Sequence, residues 1–370
     1  MNNNQLVSRE ELIATLSAIP TGAHVLVCGH TRPDGDSIGS VLALVQALRL
    51  RDIDATPLLA DGGVTPPAPY MWLRGADDFA CPNQLSEGGY VPDVFIALDT
   101  PDFNRISDAG TLLQAAKQSI IIDHHPPLPE SYADVRYTQI DAAATGELIW
   151  SLLGQMGWTR DKDIAEACYV ATISDTGSFQ FSNTTKETFA FVSEMIDAGA
   201  RPDIIAQHIY SQKPLAALHL EGRILSRAKL LNGGAVIQSY LSDADLQELG
   251  VPIDYTENLI DLIRCARDTD VALFITQSSK GPRLSLRSDG NFDVSAVARQ
   301  FGGGGHRPAA GITWPDKMAS LEQILDELLP QLPQRDDNVD EENLPNTDWK
   351  IVDAPAGAQS DNGNDFELKP

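Results

Sequence analysis

The chain has 370 residues but only four cysteines, Cys28, Cys81, Cys168 and Cys265, and no two of them form a C-x-x-C pair. This spacing argues against a disulfide framework and a cysteine-type zinc site, and leaves small buried thiols as the expectation. Long hydrophobic runs are lacking as well. No apolar stretch reaches the roughly 18 residues of a membrane span, and the polar start MNNNQLVSREE does not read as a signal peptide. A cytoplasmic protein with no membrane partner is expected. Basic charge is scarce, with 27 Lys+Arg against 52 Asp+Glu and a net charge of −25. Residues 1–200 carry −15, residues 201–320 balance at 13 against 13, and residues 321–370 carry −10. Proteins that grip long nucleic acid show a basic stripe. None is visible, so an anionic ligand needs local help from bound cations or single arginines.

The length and the 42% hydrophobic content suffice for two domains with real cores. Ser8 and Glu11 form a capping-box pattern ahead of Leu12, Leu16 and Ile19, which predicts a first helix. Short apolar runs follow at 24–28 (HVLVC), 94–99 (VFIALD) and 119–123 (SIIID), separated by helical patterns at 37–50 and 109–117. Continuous apolar strands alternating with helices predict an α/β fold with a buried, mostly parallel sheet. Helices are expected at 145–156, 163–174 and 185–198. The second part reads as a smaller mixed α/β domain, with helices at 203–211, 215–230, 257–267 and 294–300 and strands at 235–240, 271–277, 283–288 and 311–314. The expected division is a first domain over 1–195, a connector over 196–214, a second domain over 215–332 and an acidic disordered tail over 333–370.

Four segments in the first part place acidic and imidazole groups where chemistry is expected. His30, Asp34 and Asp36 follow the first apolar strand, and loops at the carboxyl ends of such strands form binding crevices. Gly39 and Ser40 read as the start of the next helix, which favours an anion; a solvated Asp/Gly turn is the plain alternative. Asp99 and Asp102 follow the second strand, where a carboxylate could equally cap a helix. Asp123, His124 and His125 follow the third, and adjacent histidines cannot both face an apolar core. Asp175 ends the apolar helical run EACYVATIS, where negative charge is disfavoured by the helix dipole unless a cation lies near.

Two divalent ions would neutralise the four carboxylates Asp34, Asp36, Asp99 and Asp175. With His30 and His124 as ring ligands, the mixed set suits manganese better than calcium. Two such ions clamp the attacking and leaving oxygens of a phosphoryl displacement and create hydroxide at neutral pH. In the second part, Phe301-Gly-Gly-Gly-Gly-His306 lets the backbone approach a phosphate closely. Arg287, at an expected strand end, suits a bidentate phosphate contact. His24, His208 and His219 are expected to be structural or surface groups.

The set H-x-x-P-D-x-D-x-x-G-S, D-H-H, S-D-T-G-S-F and G-G-G-G-H-x-x-A-A-G resembles the DHH/DHHA1 phosphoesterase superfamily. Within it the chain is similar to the nano-RNase and phosphoadenosine-phosphatase branch, over about residues 8–330. The resemblance implies an N-terminal DHH domain and a smaller DHHA1 domain with the active site in the cleft between them. It implies two Mn2+ per chain, or Mg2+ or other divalent ions in their place. His30, Asp34 and Asp99 would hold one ion, and Asp36, Asp99, His124 and Asp175 the other, with Asp99 bridging. Asp123 would support the ligands from behind and His125 would face the scissile phosphate. Arg287, Gly303, Gly304, Gly305 and His306 would bind substrate.

The implied activity is 3′-5′ hydrolysis of oligoribonucleotides a few residues long, extending to adenosine 3′,5′-bisphosphate. The partners would be short RNAs or small nucleotides rather than long nucleic acid, and the resemblance allows a homodimer. Two other readings stand beside it: a phosphodiesterase for linear or cyclic dinucleotide messengers, and a catalytically silent nucleotide-binding module. Loss of a metal ligand would support the last, and none is missing.

Overall fold

The computed structural model describes residues 6–129, 131–251, 256, 259–277 and 281–335. The chain divides into two compact units, Met1–Lys213 and Pro214–Pro370. The expected acidic tail falls almost wholly on 336–370, outside the described residues.

In the first unit, α1 (Arg9–Ser17) begins at Ser8 with the expected capping box. Then come β1 (His24–Cys28), α2 (Gly35–Arg49), β2 (Asp54–Leu58), α3 (Pro82–Glu87), β3 (Val94–Leu98), α4 (Gly110–Ala115), β4 (Gln118–Asp123) and β5 (Val135–Thr138). Helices α5 (Thr145–Gln155), α6 (Lys162–Asp175), α7 (Lys186–Asp197) and α8 (Pro202–Tyr210) complete it. The five strands form one parallel sheet in the order β2-β1-β3-β4-β5. Both faces are covered, which is why the central residues of the inner strands, 25–27, 94–98 and 120–122, are apolar. Val25, Val27, Ile96, Leu98, Ile120 and Ile122 pack into the core that contains α2, α5 and α6. Leu26, Cys28, Phe95, Ala97 and Ile121 pack on the other face.

Helix α2 starts at Gly35 with Asp34 as its N-cap, so Gly39 and Ser40 lie inside the helix rather than at its start. A Cβ on Gly39 would come within 2.3 Å of the Ala167 carbonyl oxygen, and one on Gly146 within 2.3 Å of the Ala171 Cβ. These two glycines let α2 and α5 lie close against α6. The role expected for Gly39 at an anion-binding helix end is therefore replaced by one in packing. The expected connector at 196–214 is also largely built into the first unit: Ile205 of α8 is buried in its core. His208 stacks on Trp72 with ring centroids 4.7 Å apart.

The second unit runs α9 (Leu215–Ser226), β6 (Lys229–Leu231), β7 (Val236–Ser242), α10 (Asp243–Leu249), α11 (Asp261–Arg264), β8 (Val271–Gln277) and β9 (Arg283–Ser288). It ends with α12 (Val294–Gln300), β10 (Gly304–His306), β11 (Ala309–Thr313) and α13 (Leu321–Leu328). The six strands form a mixed sheet in the order β10-β11-β9-β8-β7-β6, in which β7 and β8 are parallel and the other neighbours antiparallel. The helix expected over 215–230 stops at Ser226, and its last residues form β6 instead. Arg335 reaches back to this unit, its backbone N–H donating to the Asn232 carbonyl at 3.1 Å and its guanidinium pairing with Asp270 at 2.9 Å. The fold thus continues past 332, through the first three residues assigned to the tail.

Candidate metal centre

The carboxyl ends of β1, β3 and β4 lie side by side in the parallel sheet, so the loops after them carry His30, Asp99 and Asp123–His125 to one place. The close packing of α2, α5 and α6 adds Asp34 and Asp36 from the start of α2 and Asp175 from the end of α6. Three groups of potential ligands result: His30, Asp34 and Asp99; Asp36, His124 and Asp175; and Asp99, His124 and His125.

Asp34, Asp36 and Asp99 are each held in place by a contact from outside the groups. Asp34 accepts from the Ser37 N–H at 3.0 Å through Oδ1, as the α2 cap, while its Oδ2 lies 3.8 Å from His30 Nε2. Asp36 is fully buried; it accepts from the Thr145 N–H at 2.7 Å and the Gly146 N–H at 2.9 Å, at the N-terminus of α5. Asp99 is 2% exposed and sits at φ 61°, a left-handed conformation that is uncommon outside glycine and marks a constrained site. The Thr145 hydroxyl donates to its Oδ1 at 3.2 Å. Thr145 and Gly146 were not singled out in the sequence, because a Thr-Gly pair at a helix start carries no signal until its partner is known.

The histidine tautomers follow from their neighbours. His124 Nδ1 lies 3.2 Å from the Ala142 carbonyl oxygen and His30 Nδ1 lies 2.9 Å from the Thr31 carbonyl oxygen. A carbonyl only accepts, so both Nδ1 atoms carry protons. Each Nε2 then faces carboxylates. His124 Nε2 is 3.1 Å from Asp175 Oδ2, 3.5 Å from Asp99 Oδ1 and 3.8 Å from Asp36 Oδ2, yet it is buried without a hydrogen bond of acceptable geometry. His30 Nε2 is 3.3 Å from Asp99 Oδ2. Imidazole nitrogens and carboxylates that converge on the same points could hold cations between them. The donor set of imidazole nitrogen and carboxylate oxygen fits divalent transition ions.

The electrostatics express the same crowding. Burial and the Asp99 and Asp175 charges push the Asp36 carboxyl well above the usual range. Burial opposes ionisation of Asp99 too, but His124 and His30 outweigh it and hold that carboxyl well below its ordinary value. Burial disfavours the charged form of His124, yet Asp175 and Asp99 raise it well above the ordinary imidazole range. His125 Nδ1 lies 2.9 Å from the fully buried Asp123, which also accepts its backbone N–H at 3.1 Å, and 3.5 Å from Asp99 Oδ1.

The residues expected to bind substrate lie in the second unit. Arg287 is on β9, opposite Ala309 of β11 and Ala272 of β8. The glycine run, expected as a loop, instead forms edge strand β10, with Gly304 paired to Gly311 and His306 to Ala309. A Cβ on Gly303 would lie 2.2 Å from the Gly311 carbonyl oxygen, and Gly305 has φ +142°, so both glycines are required by the hairpin itself.

Residues 24–172 match the DHH family, N-terminal domain, and residues 233–332 match the DHHA1 domain. The chain belongs to the DHH/DHHA1 family. This DHH chain is 28% identical over 305 residues to the bifunctional oligoribonuclease and PAP phosphatase NrnA of Thermus thermophilus, covering 82% of this chain and 88% of that protein. To the Bacillus subtilis protein of the same name it is 27% identical over 328 residues, covering 86% and 99%. In fold it is similar to an exopolyphosphatase-related protein from Bacteroides fragilis, with TM-score 0.79, 22% identity, and coverage of 88% of this chain and 97% of that one.

Proposed function

We propose that this chain is a metal-dependent phosphoesterase that hydrolyses short oligoribonucleotides and adenosine 3′,5′-bisphosphate. The observation that carries this reading is the convergence of His30, Asp34, Asp36, Asp99, His124 and Asp175, with His124 Nε2 buried among three carboxylates. Similarity to two NrnA proteins over most of their lengths supports the substrate class. In this reading His30, Asp34 and Asp99 hold one Mn2+, and Asp36, Asp99, His124 and Asp175 hold a second. Divalent ions bound there supply Lewis-acid chemistry, neutralising phosphoryl oxygens and acidifying water. The chain's own groups do the rest. Asp99 offers its two carboxylate oxygens to the two ligand groups, Oδ2 toward His30 and Oδ1 toward His124. Asp123 fixes the His125 ring through Nδ1, which turns the Nε2 edge away from Asp123 to meet the charge that develops on the scissile phosphate. Arg287, the backbone of Gly303–Gly305 and His306 contribute substrate phosphate binding.

Among the described residues no helix is long and apolar enough to cross a membrane. A cytoplasmic enzyme acting on small nucleotides is consistent with that. The test is a product time course on 5′-labelled RNAs of two to about twenty nucleotides, run beside the bisphosphate. Mononucleotides released stepwise from the 3′ end of the short RNAs are expected. Absence of hydrolysis on both substrate types, with Mn2+ present, would overturn the proposal.

A further inference from the structure

Strand β9 alternates cleanly. Leu284 and Leu286 are buried in a core with Ala310 and Ile312 of β11, whereas Arg283, Ser285 and Arg287 share the opposite face. On that face the β11 neighbours, set by the register, are Thr313, Gly311 and Ala309, opposite Arg283, Ser285 and Arg287 in turn. Gly311 and Thr313 are exposed, and a Cβ on Gly304, the β10 partner of Gly311, would meet nothing within 4 Å. This half of the face is therefore a flat bed of small residues from which two long cationic side chains stand. On the other half, Ile237, Leu241, Ala272 and Phe274 pack with Leu220, Ile224 and Ile263 from α9 and α11.

Among the described residues neither arginine makes an ion pair with a carboxylate. Among the described residues Arg287 donates to the Leu286 carbonyl at 3.1 Å, and Asp261, which bears on it at longer range, is paired with Arg264 at 2.9 Å. Burial lowers both guanidinium pKa values from the ordinary range, and at Arg287 it outweighs the Asp261 charge. Cations held over a small-residue bed, with no carboxylate partner among the described residues, suit an anionic ligand. The two side chains are four residues apart on one strand, about 13 Å at ~3.3 Å per residue. That spacing serves two phosphates rather than clamping one.

We propose that Arg283 is a specificity-determining contact for a second phosphate, which lets the site favour RNA of three or more nucleotides over a dinucleotide. This rests on the phosphoesterase reading above, in which Arg287 takes one substrate phosphate. A dinucleotide with no terminal phosphate has a single phosphate and cannot engage both arginines.

The test is steady-state kinetics on two- and five-nucleotide RNAs with wild type, Arg283→Ala, Arg283→Lys and Arg287→Ala. Arg283→Ala is expected to lower kcat/KM on the five-nucleotide RNA about tenfold more than on the dinucleotide, the scale of one charged hydrogen bond. The loss should lie chiefly in KM, and Arg283→Lys should recover part of it. Arg287→Ala should lower both substrates alike. Equal losses on both lengths in Arg283→Ala, or no loss on either, would overturn the inference while leaving the function standing. Wild-type protein that hydrolyses neither RNA would overturn the function and this inference together.

Discussion

His124 Nε2 lies 3.1 Å from Asp175 Oδ2, at the last residue of α6, where a carboxylate sits against the negative end of its own helix. Nothing in the helix offsets that placement, so the compensation has to come from outside it. Bound divalent ions are expected to raise the thermal midpoint, by the equivalent of about 2.7 kcal/mol at a hundredfold excess over Kd. In Asp175→Asn this metal-induced rise should shrink markedly. Thermal melts of both proteins, in chelator and then across a Mn2+ titration, measure it.

In the proposed ligand sets Asp99 is the residue that serves both ions, and it belongs to two of the three groups of potential ligands. Its left-handed backbone, φ 61°, is one that asparagine also tolerates, so Asp99→Asn should fold normally. Turnover should fall by far more than tenfold, because one charge serves both ions. A variant that kept more than a tenth of wild-type kcat, a loss under ~1.4 kcal/mol, would contradict the bridging role. Circular dichroism beside the assay separates misfolding from lost chemistry.

The close approach of α2 to α6 is expected to matter for both stability and the site. Gly39→Ala would place a methyl 2.3 Å from the Ala167 carbonyl oxygen and should destabilise by about 1–3 kcal/mol. It should also weaken metal binding, since Asp36 lies one turn earlier on the same helix. Gly222→Ala in α9 is the control: nothing lies within 4 Å of its added methyl, so it should be neutral or stabilising. Chemical denaturation of the two variants makes the comparison.

Asp245 in the second unit gives a pH dependence away from the metal centre. It accepts from Arg227 at 2.7 and 2.8 Å, from Arg223 at 3.0 Å and from the Ser242 hydroxyl at 2.7 Å. Its hydrogen bond with Arg227 outweighs burial and holds the carboxyl well below the usual range. A depressed folded value means that its stabilisation is complete above the unfolded value of about 3.9 and is lost as pH falls below it. Asp245→Asn should cost about 1.5–3 kcal/mol near neutrality, because it leaves Arg227 without its carboxylate, while Arg223 keeps Glu248 at 2.9 Å. The difference from wild type should narrow below about pH 4. Urea denaturation of both proteins from pH 7 down to pH 3 tests the sign.

Much of the catalytic half was legible in the sequence because its signals are local. The strands around Val25, Ile96 and Ile121 are apolar on both faces, and the candidate ligands follow them directly. The edge strands were not legible. Strand β2 contains Pro57, which an edge position tolerates and a central one does not, and β5 is only four residues long with Arg136 inside it. The glycine run read as a loop because its strand character depends on pairing with β11. Thr145, which bonds to Asp99, and Gly146, whose N–H meets Asp36, were invisible for the same reason: their roles exist only once helices far apart in sequence are packed together.

The measurement that bears most directly on the account is metal content and activity on the same sample. The protein is stripped with chelator, assayed on a dinucleotide, then titrated with Mn2+ while bound metal is counted. No turnover is expected in the stripped protein, and recovery should follow the filling of two sites per chain, with Mg2+ less effective. Full activity in stripped protein with no added metal would contradict the metal-dependent reading.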